Sequence, residues 1–280
     1  NNSSDTTHEV AYSTLESLGG KGGVLFESAK GKGNALRRAF HCINADVYLI
    51  ADADMTYPAS DAHRLLDPLL SNQADLVVGD RRSHGRYEVE NKRPFHSSGN
   101  LLVCSLVNKL FDAKLNDIMS GYRAMTREFV DHYPILVPGF EIETDMTLHA
   151  LDKRFRIKEI PIHYQDRPEG SFSKLNTFRD GFRVISTIVK ILRYYQPFAF
   201  YGSISLALSI AGLLAGAPVI DEWLRTRFIT HVPLAVLATG LEVLSVILLA
   251  IGLILDSMAH IEKNNFERSL VGNKLFNKKR

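Results

Sequence analysis

Two aspartates, Asp52 and Asp54, stand one residue apart after a run of apolar and aromatic residues, VYLI. Such a run is typical of a buried strand in a parallel sheet, and Pro58 disfavours its continuation. Ligands of open α/β sheets bind beyond the carboxyl ends of strands, where two carboxylates could hold Mg²⁺ or Mn²⁺ together with substrate phosphates. A solvated aspartate pair in a turn is the alternative that this short pattern leaves open.

Two segments of the chain carry basic residues at positions where a phosphate could bind: one at the start of a predicted helix and one after a predicted strand. Lys30 and Lys32 alternate with glycines before a predicted helix, and a helix N-terminus with ammonium groups favours a bound phosphate. The segment does not fit the P-loop pattern GxxxxGK[ST]. A second basic segment begins at Arg81, after a strand predicted at 74–79, and runs through Arg93. Solvated surface loops are the alternative for both segments.

Two polar segments later in the chain carry further candidates. The turn NDIMSGYR offers Asp117, Ser120 and Arg123, which could contact a substrate or pair with one another. The stretch EIETD precedes a predicted helix, and the helix dipole partly explains its acidic residues. The functional alternative for Glu143 and Asp145 is a general base or an acceptor for substrate hydroxyls.

A polar loop then leads into an amphipathic segment at 176–196. The loop offers Arg167, Ser173 and Lys174, and the segment has apolar residues at helical spacing with arginines and a lysine between them. This pattern suits a helix that lies in the membrane interface beside lipid headgroups. A helix packed on a soluble domain is the alternative.

Two long apolar segments, 198–220 and 232–255, are the next feature. Each is long enough to cross a hydrocarbon core of ~30 Å, which takes about 20 residues. Glu242 is the single charged residue within them. Burial of a charge in a bilayer is energetically unfavourable, so a charged residue at such a position is a candidate for a functional role. Basic residues are more frequent after the second segment than in the link, so a hairpin with both ends in the cytoplasm is predicted.

Composition narrows the classes of partner. The formal net charge is +2 and no nucleic-acid-binding motif is present, so no nucleic acid partner is expected. The two cysteines lack metal-ligand spacing and fit a reducing compartment. The predicted organisation is an α/β catalytic domain at 1–175, an interface helix at 176–196, a transmembrane hairpin at 197–257 and a basic cytoplasmic tail at 258–280.

Taken together and in this order, the motifs DAD, KGKGNA, DxxSGYR, ExETD and RPEGSxSKL resemble those of the family-2 glycosyltransferases. The resemblance covers nearly the whole chain and is nearest to the polyprenyl-phosphate sugar synthases, both the dolichol-phosphate and the bacterial undecaprenyl-phosphate type. It implies a GT-A, Rossmann-like domain with a mostly parallel sheet. The strand that opens this family has no counterpart in this sequence. We therefore expect that the sequence lacks the N-terminal strand of the domain. Absence of QxxRW argues against polymer synthesis.

The resemblance implies transfer of a hexose from a UDP- or GDP-sugar. On the donor side, it implies that Asp52 and Asp54 hold Mg²⁺ or Mn²⁺ beside a nucleotide flanked by Lys30 and Lys32. The residues that it places around the donor sugar are Asp117, Ser120 and Arg123.

The implied acceptor is undecaprenyl or dolichyl phosphate at a membrane. Arg81 and Arg93 would face the phosphates of donor and acceptor, and Glu143 or Asp145 would bind the sugar or act as base, with Asp145 the first choice. The loop residues implied beside the acceptor phosphate are Arg167, Ser173 and Lys174. Transfer to a lipid hydroxyl such as diacylglycerol, and a membrane adaptor with a degenerate domain, remain alternatives. Hairpin-anchored domains often associate, so homo-oligomerisation stays open.

Overall fold

The structure, a computed structural model, describes residues 2–3, 5–19, 22–83, 96–139, 141–164 and 177–277. The chain divides into two compact units, Asn1–Gly181 and Phe182–Arg280. The helices and strands of the first unit are α1 (Thr7–Ser17), α2 (Lys32–Cys42), β1 (Val47–Ile50), α3 (Ala62–Leu70, after a 3₁₀ turn at Ala59–Asp61), β2 (Leu76–Asp80), α4 (His96–Phe111), β3 (Arg123–Thr126), α5 (Arg127–His132), α6 (Ile142–Asp152) and β4 (Ile157–Pro161).

The four strands form one mixed sheet in the order β1-β3-β2-β4. Strand β3 is antiparallel to both of its neighbours, and β2 is parallel to β4, so β1, β2 and β4 run in the same direction. The α/β prediction is confirmed, with one antiparallel strand inside the sheet. The turn before β3 lies at the edge where β2 ends, since the Gly79 amide donates to the Tyr122 carbonyl at 2.8 Å, and β3 must therefore run back.

The central strand β2 is buried on both faces, which explains its continuous apolar sequence. Leu76 and Val78 belong to one core cluster and Val77 to the other, as the two-residue period of a strand requires. On the first face they pack with Met146 of α6, and on the second face Val77 packs with Leu65 of α3. Helices on both faces thus fix the sheet whose edge carries the candidate site.

The apolar run at 24–27, VLFE, predicts a short strand, and this prediction is wrong, because these residues have no regular secondary structure. A strand needs a neighbour for its backbone hydrogen bonds. Strand β1 is an edge strand, and within the described residues it pairs with β3 on one side only. Residues 24–27 do not continue the sheet beyond β1.

The second unit is helical, and the division between the units falls within α7 (Thr177–Tyr195). It continues with α8 (Pro197–Thr226) and α9 (Val232–Asn277), both long and apolar enough to cross a membrane. Only 17% and 11% of their most apolar windows are buried, whereas the core helix of a soluble protein would be mostly buried. The predicted helical pair is present, and α9 extends through residues 258–277 of the predicted tail.

Helices α8 and α9 pack as an antiparallel hairpin through small and polar residues. The Ser205 hydroxyl donates to the Ser245 carbonyl at 2.8 Å, and the Ser245 hydroxyl donates to the Ser205 carbonyl at 2.9 Å. One turn further along, the Ser209 hydroxyl donates to Glu242 Oε2 at 3.0 Å. A Cβ on Gly212 would lie 2.6 Å from Glu242 Oε1, so the absence of a side chain at Gly212 leaves room for the Glu242 carboxylate between the helices.

Candidate active site

One lysine joins two of the predicted carboxylates at the carboxyl edge of the sheet. Lys32 Nζ lies 2.5 Å from Oδ1 of Asp52, just after β1, and 2.6 Å from Oε1 of Glu143, in the first turn of α6. Burial by itself would lower the pKa of Lys32, but the two carboxylates outweigh it and raise that pKa. The lysine therefore remains a cation that brings the two carboxylates together.

The backbone of the SGYR turn closes one side of this cluster. A Cβ on Gly121 would lie 2.7 Å from Asp52 Oδ2 and 2.9 Å from Lys32 Nζ, so a side chain at this position would displace one or both of these groups. The Gly121 amide donates a hydrogen bond of 3.0 Å to the hydroxyl of Tyr57, which stacks on Tyr122. No pattern in the sequence singles out Tyr57, which follows Asp54 by three residues and holds the turn by accepting the Gly121 amide.

The glycines around Lys32 position it by close backbone packing. The Gly33 amide donates to the Pro138 carbonyl at 3.0 Å, and a Cβ on Gly33 would lie 1.9 Å from the Val137 carbonyl oxygen. Gly31 has φ of 124°, and a Cβ placed on it would be similarly close to the Pro138 carbonyl oxygen. The KGKG turn thus docks on residues 137–138, which directs Lys32 inward, while Lys30 is exposed.

Asp54 lies in a tight turn at the same edge. Its Oδ1 accepts a hydrogen bond of 2.6 Å from the Thr56 hydroxyl, and Met55 between them has φ of 62°. Asp52 and Asp54 are both half-buried. Their oxygens are the ligand type that Mg²⁺ and Mn²⁺ prefer, and one or two carboxylates with water and phosphates are enough for Mg²⁺. The residues fit such an ion, although no cluster of three or more potential ligands occurs in the described part of the chain.

Arg81, directly after β2, forms an ion pair with the buried carboxylate of Asp117. Arg81 Nε donates to Asp117 Oδ2 at 2.7 Å and its Nη2 donates to Oδ1 at 2.9 Å, a bidentate pair. Burial would raise the pKa of Asp117, but the charge and hydrogen bonds of Arg81 outweigh burial and lower that pKa. The pairing of Asp117 with Arg123 that the sequence left open is wrong, because Asp117 pairs with Arg81 and the guanidinium of Arg123 donates to other groups.

Arg123 and Ser120 lie inside the protein and support the SGYR turn. Arg123 is 1% exposed, and its guanidinium donates to the Ser120 carbonyl at 2.8 Å, the Ile118 carbonyl at 2.6 Å and the Thr147 hydroxyl at 2.9 Å. Ser120 is fully buried. The geometry gives both residues a supporting role, and their direct contact with a donor sugar stays a prediction.

Glu143 and Asp145 project from different sides of α6, because residues two apart on a helix are separated by about 200°. Glu143 joins Lys32, whereas Asp145 Oδ2 accepts a hydrogen bond of 2.7 Å from the Tyr133 hydroxyl. Burial raises the pKa of Asp145. The geometry favours Glu143 as the carboxylate nearer to Asp52, and the first rank of Asp145 as a catalytic residue stays a prediction.

Four of the predicted site residues lie outside the residues that the structure describes. They are Arg93, Arg167, Ser173 and Lys174. Sequence reasoning also missed Glu159 of β4, whose carboxylate accepts hydrogen bonds from the backbone of residues 116 and 117. Glu159 shares a face with Ile157 and Pro161, where the two-residue period of the strand calls for an apolar residue, and this departure is the signal that could have drawn attention to it.

Carboxylates, a lysine and an arginine lie at the carboxyl edge of this mixed α/β sheet, which is where open α/β sheets bind their ligands. Residues 1–133 match the model described as glycosyl transferase family 2. Glycosyltransferase AglJ of Haloferax volcanii is 31% identical over 267 residues, which cover 95% of this chain and 85% of that protein. The chain belongs to glycosyltransferase family 2.

Further similarities place the chain within this family and confirm its fold. Dolichol-phosphate mannosyltransferase of Pyrococcus furiosus is 29% identical over 192 residues, which cover 66% of this chain and 50% of that protein. The relatives thus include polyprenyl-phosphate sugar transferases, as the sequence resemblance predicted. Glucosyl-3-phosphoglycerate synthase of Mycobacterium tuberculosis, in complex with Mn²⁺, UDP and phosphoglyceric acid, superimposes with a TM-score of 0.50 at 20% identity. That match covers 70% of this chain and 65% of the synthase, and it shows the GT-A fold.

Proposed function

We propose that this glycosyltransferase moves a hexose from a UDP- or GDP-sugar to a polyprenyl phosphate, undecaprenyl or dolichyl phosphate, at a membrane. The observation that carries the proposal is the combination, in one chain, of a Lys32–Asp52–Glu143 cluster at a sheet edge with two apolar helices of membrane-spanning length. A lipid-linked acceptor stays in the bilayer, so an enzyme that uses it benefits from an anchor beside its catalytic domain.

The donor diphosphate would be bound by charge. Asp52 and Asp54 would hold Mg²⁺ or Mn²⁺, which when bound neutralises the departing nucleoside diphosphate. Lys32 presents an ammonium at the same place, and the exposed Lys30 lies two residues away. Asp117 and Glu143 hold Arg81 and Lys32 respectively, so these cations are oriented before a substrate arrives.

The proposed reaction is an inverting single displacement at the anomeric carbon. An oxygen of the acceptor phosphate forms the new bond to that carbon while the bond to the donor diphosphate breaks. The second pKa of a phosphate monoester is near ~6, so the acceptor is largely dianionic at neutral pH and needs little deprotonation. Catalysis then depends on positioning and charge, supplied by Arg81 and, by resemblance, by the basic residues Arg93, Arg167 and Lys174 with Ser173.

We further propose the arrangement at the membrane. The catalytic domain at 1–175 and the tail at 258–280 would be cytoplasmic, with the helix at 176–196 in the interface and the hairpin at 197–257 crossing the bilayer. Support comes from the excess of basic residues after the second span and from exposed apolar side chains on α7, including Ile185 at 62%.

The test is transfer of label in membranes that contain the full-length protein. These membranes are incubated with radiolabelled UDP- and GDP-hexoses, Mn²⁺, and undecaprenyl or dolichyl phosphate, and acid-labile lipid-linked label is counted. We expect label with one donor, its loss in Asp52→Ala and Asp54→Ala or with a chelator, and its retention in Asp46→Ala. Asp46 is a matched control because it precedes the same strand and its side chain is 99% exposed.

Two other outcomes would contradict the proposal. Labelled diacylglycerol would identify a lipid hydroxyl as acceptor, and Glu143 or Asp145 would then be needed as a true base because a hydroxyl must lose its proton. Metal-dependent donor binding without any transfer would favour a membrane adaptor. Either result leaves the family assignment intact and replaces the proposed acceptor.

A further inference from the structure

The carboxylate of Glu159 holds the backbone of a neighbouring turn. Glu159 lies on β4, beside Val78 of β2. The Asn116 amide donates to Oε1 at 2.9 Å and to Oε2 at 2.7 Å, and the Asp117 amide donates to Oε1 at 2.8 Å. A half-buried carboxylate that accepts two successive backbone N–H groups fixes the position of both residues.

The turn held in this way, at residues 116 and 117, also binds the side chain of Arg81. Asp117 makes the bidentate pair with Arg81, and it also accepts the Arg81 amide at 3.3 Å. The same turn is tied to the end of β2 by Arg82 Nη1, which donates to the Asn116 carbonyl at 3.0 Å. Glu159 does not contact Arg81 in any hydrogen bond or ion pair that the described residues show, so its effect on Arg81 passes through the turn.

We propose that Glu159 is the positioning residue for Arg81, which it orients through the backbone of residues 116 and 117. Loss of the Glu159 carboxylate would leave two turn amides without their acceptor. The turn would relax, Asp117 would shift, and the fork of Arg81 would lose its fixed orientation. The inference rests on the proposed function only in that Arg81 binds an anionic substrate.

The surroundings of Glu159 also shift the pKa of its carboxyl group. Burial raises the pKa of Glu159, and the neighbouring carboxylates of Asp80 and Asp117 raise it further, while the two turn amides lower it. A carboxylate kept beside two others is costly unless its hydrogen bonds compensate. The hydrogen bonds that Glu159 accepts from the two turn amides therefore explain its position, and they are the contacts through which it fixes the turn.

The first test is a double-mutant cycle on sugar transfer. Glu159→Ala and Arg81→Lys are measured singly and together, with Glu159→Gln as a variant whose Oε1 still accepts both amides. We expect Glu159→Ala to lower kcat/KM about tenfold, mainly through KM. This is less than the full loss of two hydrogen bonds to a charged group, because Arg81 is affected only through the turn. In the Arg81→Lys background it should have no further effect, and Glu159→Gln should restore most of the activity. Additive losses, or Glu159→Gln as poor as Glu159→Ala, would overturn the inference.

The second test needs no activity. Phenylglyoxal modification of Arg81 is followed by peptide mass spectrometry, with Arg225 as an exposed reference because its side chain is 75% exposed and that of Arg81 only 11%. Arg81 should react about tenfold faster in Glu159→Ala, as the loss of those hydrogen bonds implies, but not in Glu159→Gln or in the β4 surface control Lys158→Ala. An unchanged rate in Glu159→Ala refutes the positioning role. If the wild type transfers no sugar, the proposed function fails and this measurement still decides the role of Glu159.

Discussion

Lys32 shows how single residues of this site depend on one another. Its ammonium lies between Asp52 and Glu143, and its side chain is 15% exposed against 35% and 10% for the two carboxylates. Two carboxylates at this separation would repel each other without a cation between them. Lys32 is therefore a structural cation of the site as well as a candidate ligand for the donor phosphates.

Removal of this cation should cost both stability and activity. In Lys32→Met, Asp52 and Glu143 lose their shared partner, and we expect the free energy of unfolding to fall by about 2 kcal/mol, less than for a fully buried pair because Asp52 is partly exposed. Thermal unfolding and sugar transfer measure the two effects. Lys30→Met is the matched control, since Lys30 is exposed, and its melting temperature should equal that of the wild type. A wild-type melting temperature for Lys32→Met would show that the ion pairs contribute nothing to stability.

Asp145 provides a prediction on pH. Burial raises its pKa in the folded protein above the unfolded value of about 3.9, so the folded state binds more protons than the unfolded state between these two pKa values. Its contribution to stability is thus most favourable in acid and decreases as pH rises through that window. Asp145→Asn should therefore gain in melting temperature relative to the wild type between pH 4 and pH 7. A constant difference between the two proteins over this range would contradict the raised pKa.

The sequence predicted which residues meet at the sheet edge better than how deeply they are buried. The rule that parallel strands end at one edge was sufficient to place Asp52, Asp54 and Arg81 at the same edge of the sheet. It could not show that Arg123 lies inside the protein, because a charged residue in a polar turn is ordinarily exposed and its buried hydrogen-bond partners leave no local signal. Glu159 was missed for a related reason, since its partners are backbone amides and leave no trace in residue types.

At the scale of elements, predicted helices are closer to the observed ones than the strands are. A helix makes its hydrogen bonds within one segment, so its periodicity is visible locally, as in α7. A strand depends on a partner elsewhere in the chain. That is why the strand predicted at 24–27 fails and why the insertion of β3 between β1 and β2 was not foreseen.

The packing of α8 on α9 can be tested by a disulfide. The hydroxyl oxygens of Ser205 and Ser245 lie 3.0 Å apart, so cysteines at both positions should form an intramolecular disulfide under mild oxidation. The control pair is Ser203→Cys with Ser245→Cys, because Ser203 is exposed on another side of α8. Non-reducing electrophoresis and peptide mass spectrometry identify the bond. Equal yields from the two pairs would contradict the observed helix register.

For the whole molecule, the order of the parts could be predicted from the sequence: an α/β domain, then an amphipathic helix, then an apolar hairpin. Length and apolarity were enough to recognise the hairpin, because a bilayer imposes both on any segment that crosses it. The small-residue contacts that pair α8 with α9, such as Gly212 against Glu242, became visible only in the structure. Such contacts depend on helix register, which hydropathy does not encode.

The orientation of the whole chain leads to the last prediction. If both ends are cytoplasmic, the hairpin link faces the opposite side, and the single-cysteine variant Phe228→Cys in a Cys42→Ser background should react with a membrane-impermeant maleimide in intact cells. Cys42 itself is exposed on α2 and serves as a native reporter for the first unit, which should react only after permeabilisation. Ser269→Cys in the same Cys42→Ser background reports on α9 beyond the span and should behave like Cys42. Labelling of Cys42 in intact cells would reverse the orientation, and identical behaviour of Phe228→Cys and Ser269→Cys would show that the helices do not cross as a hairpin.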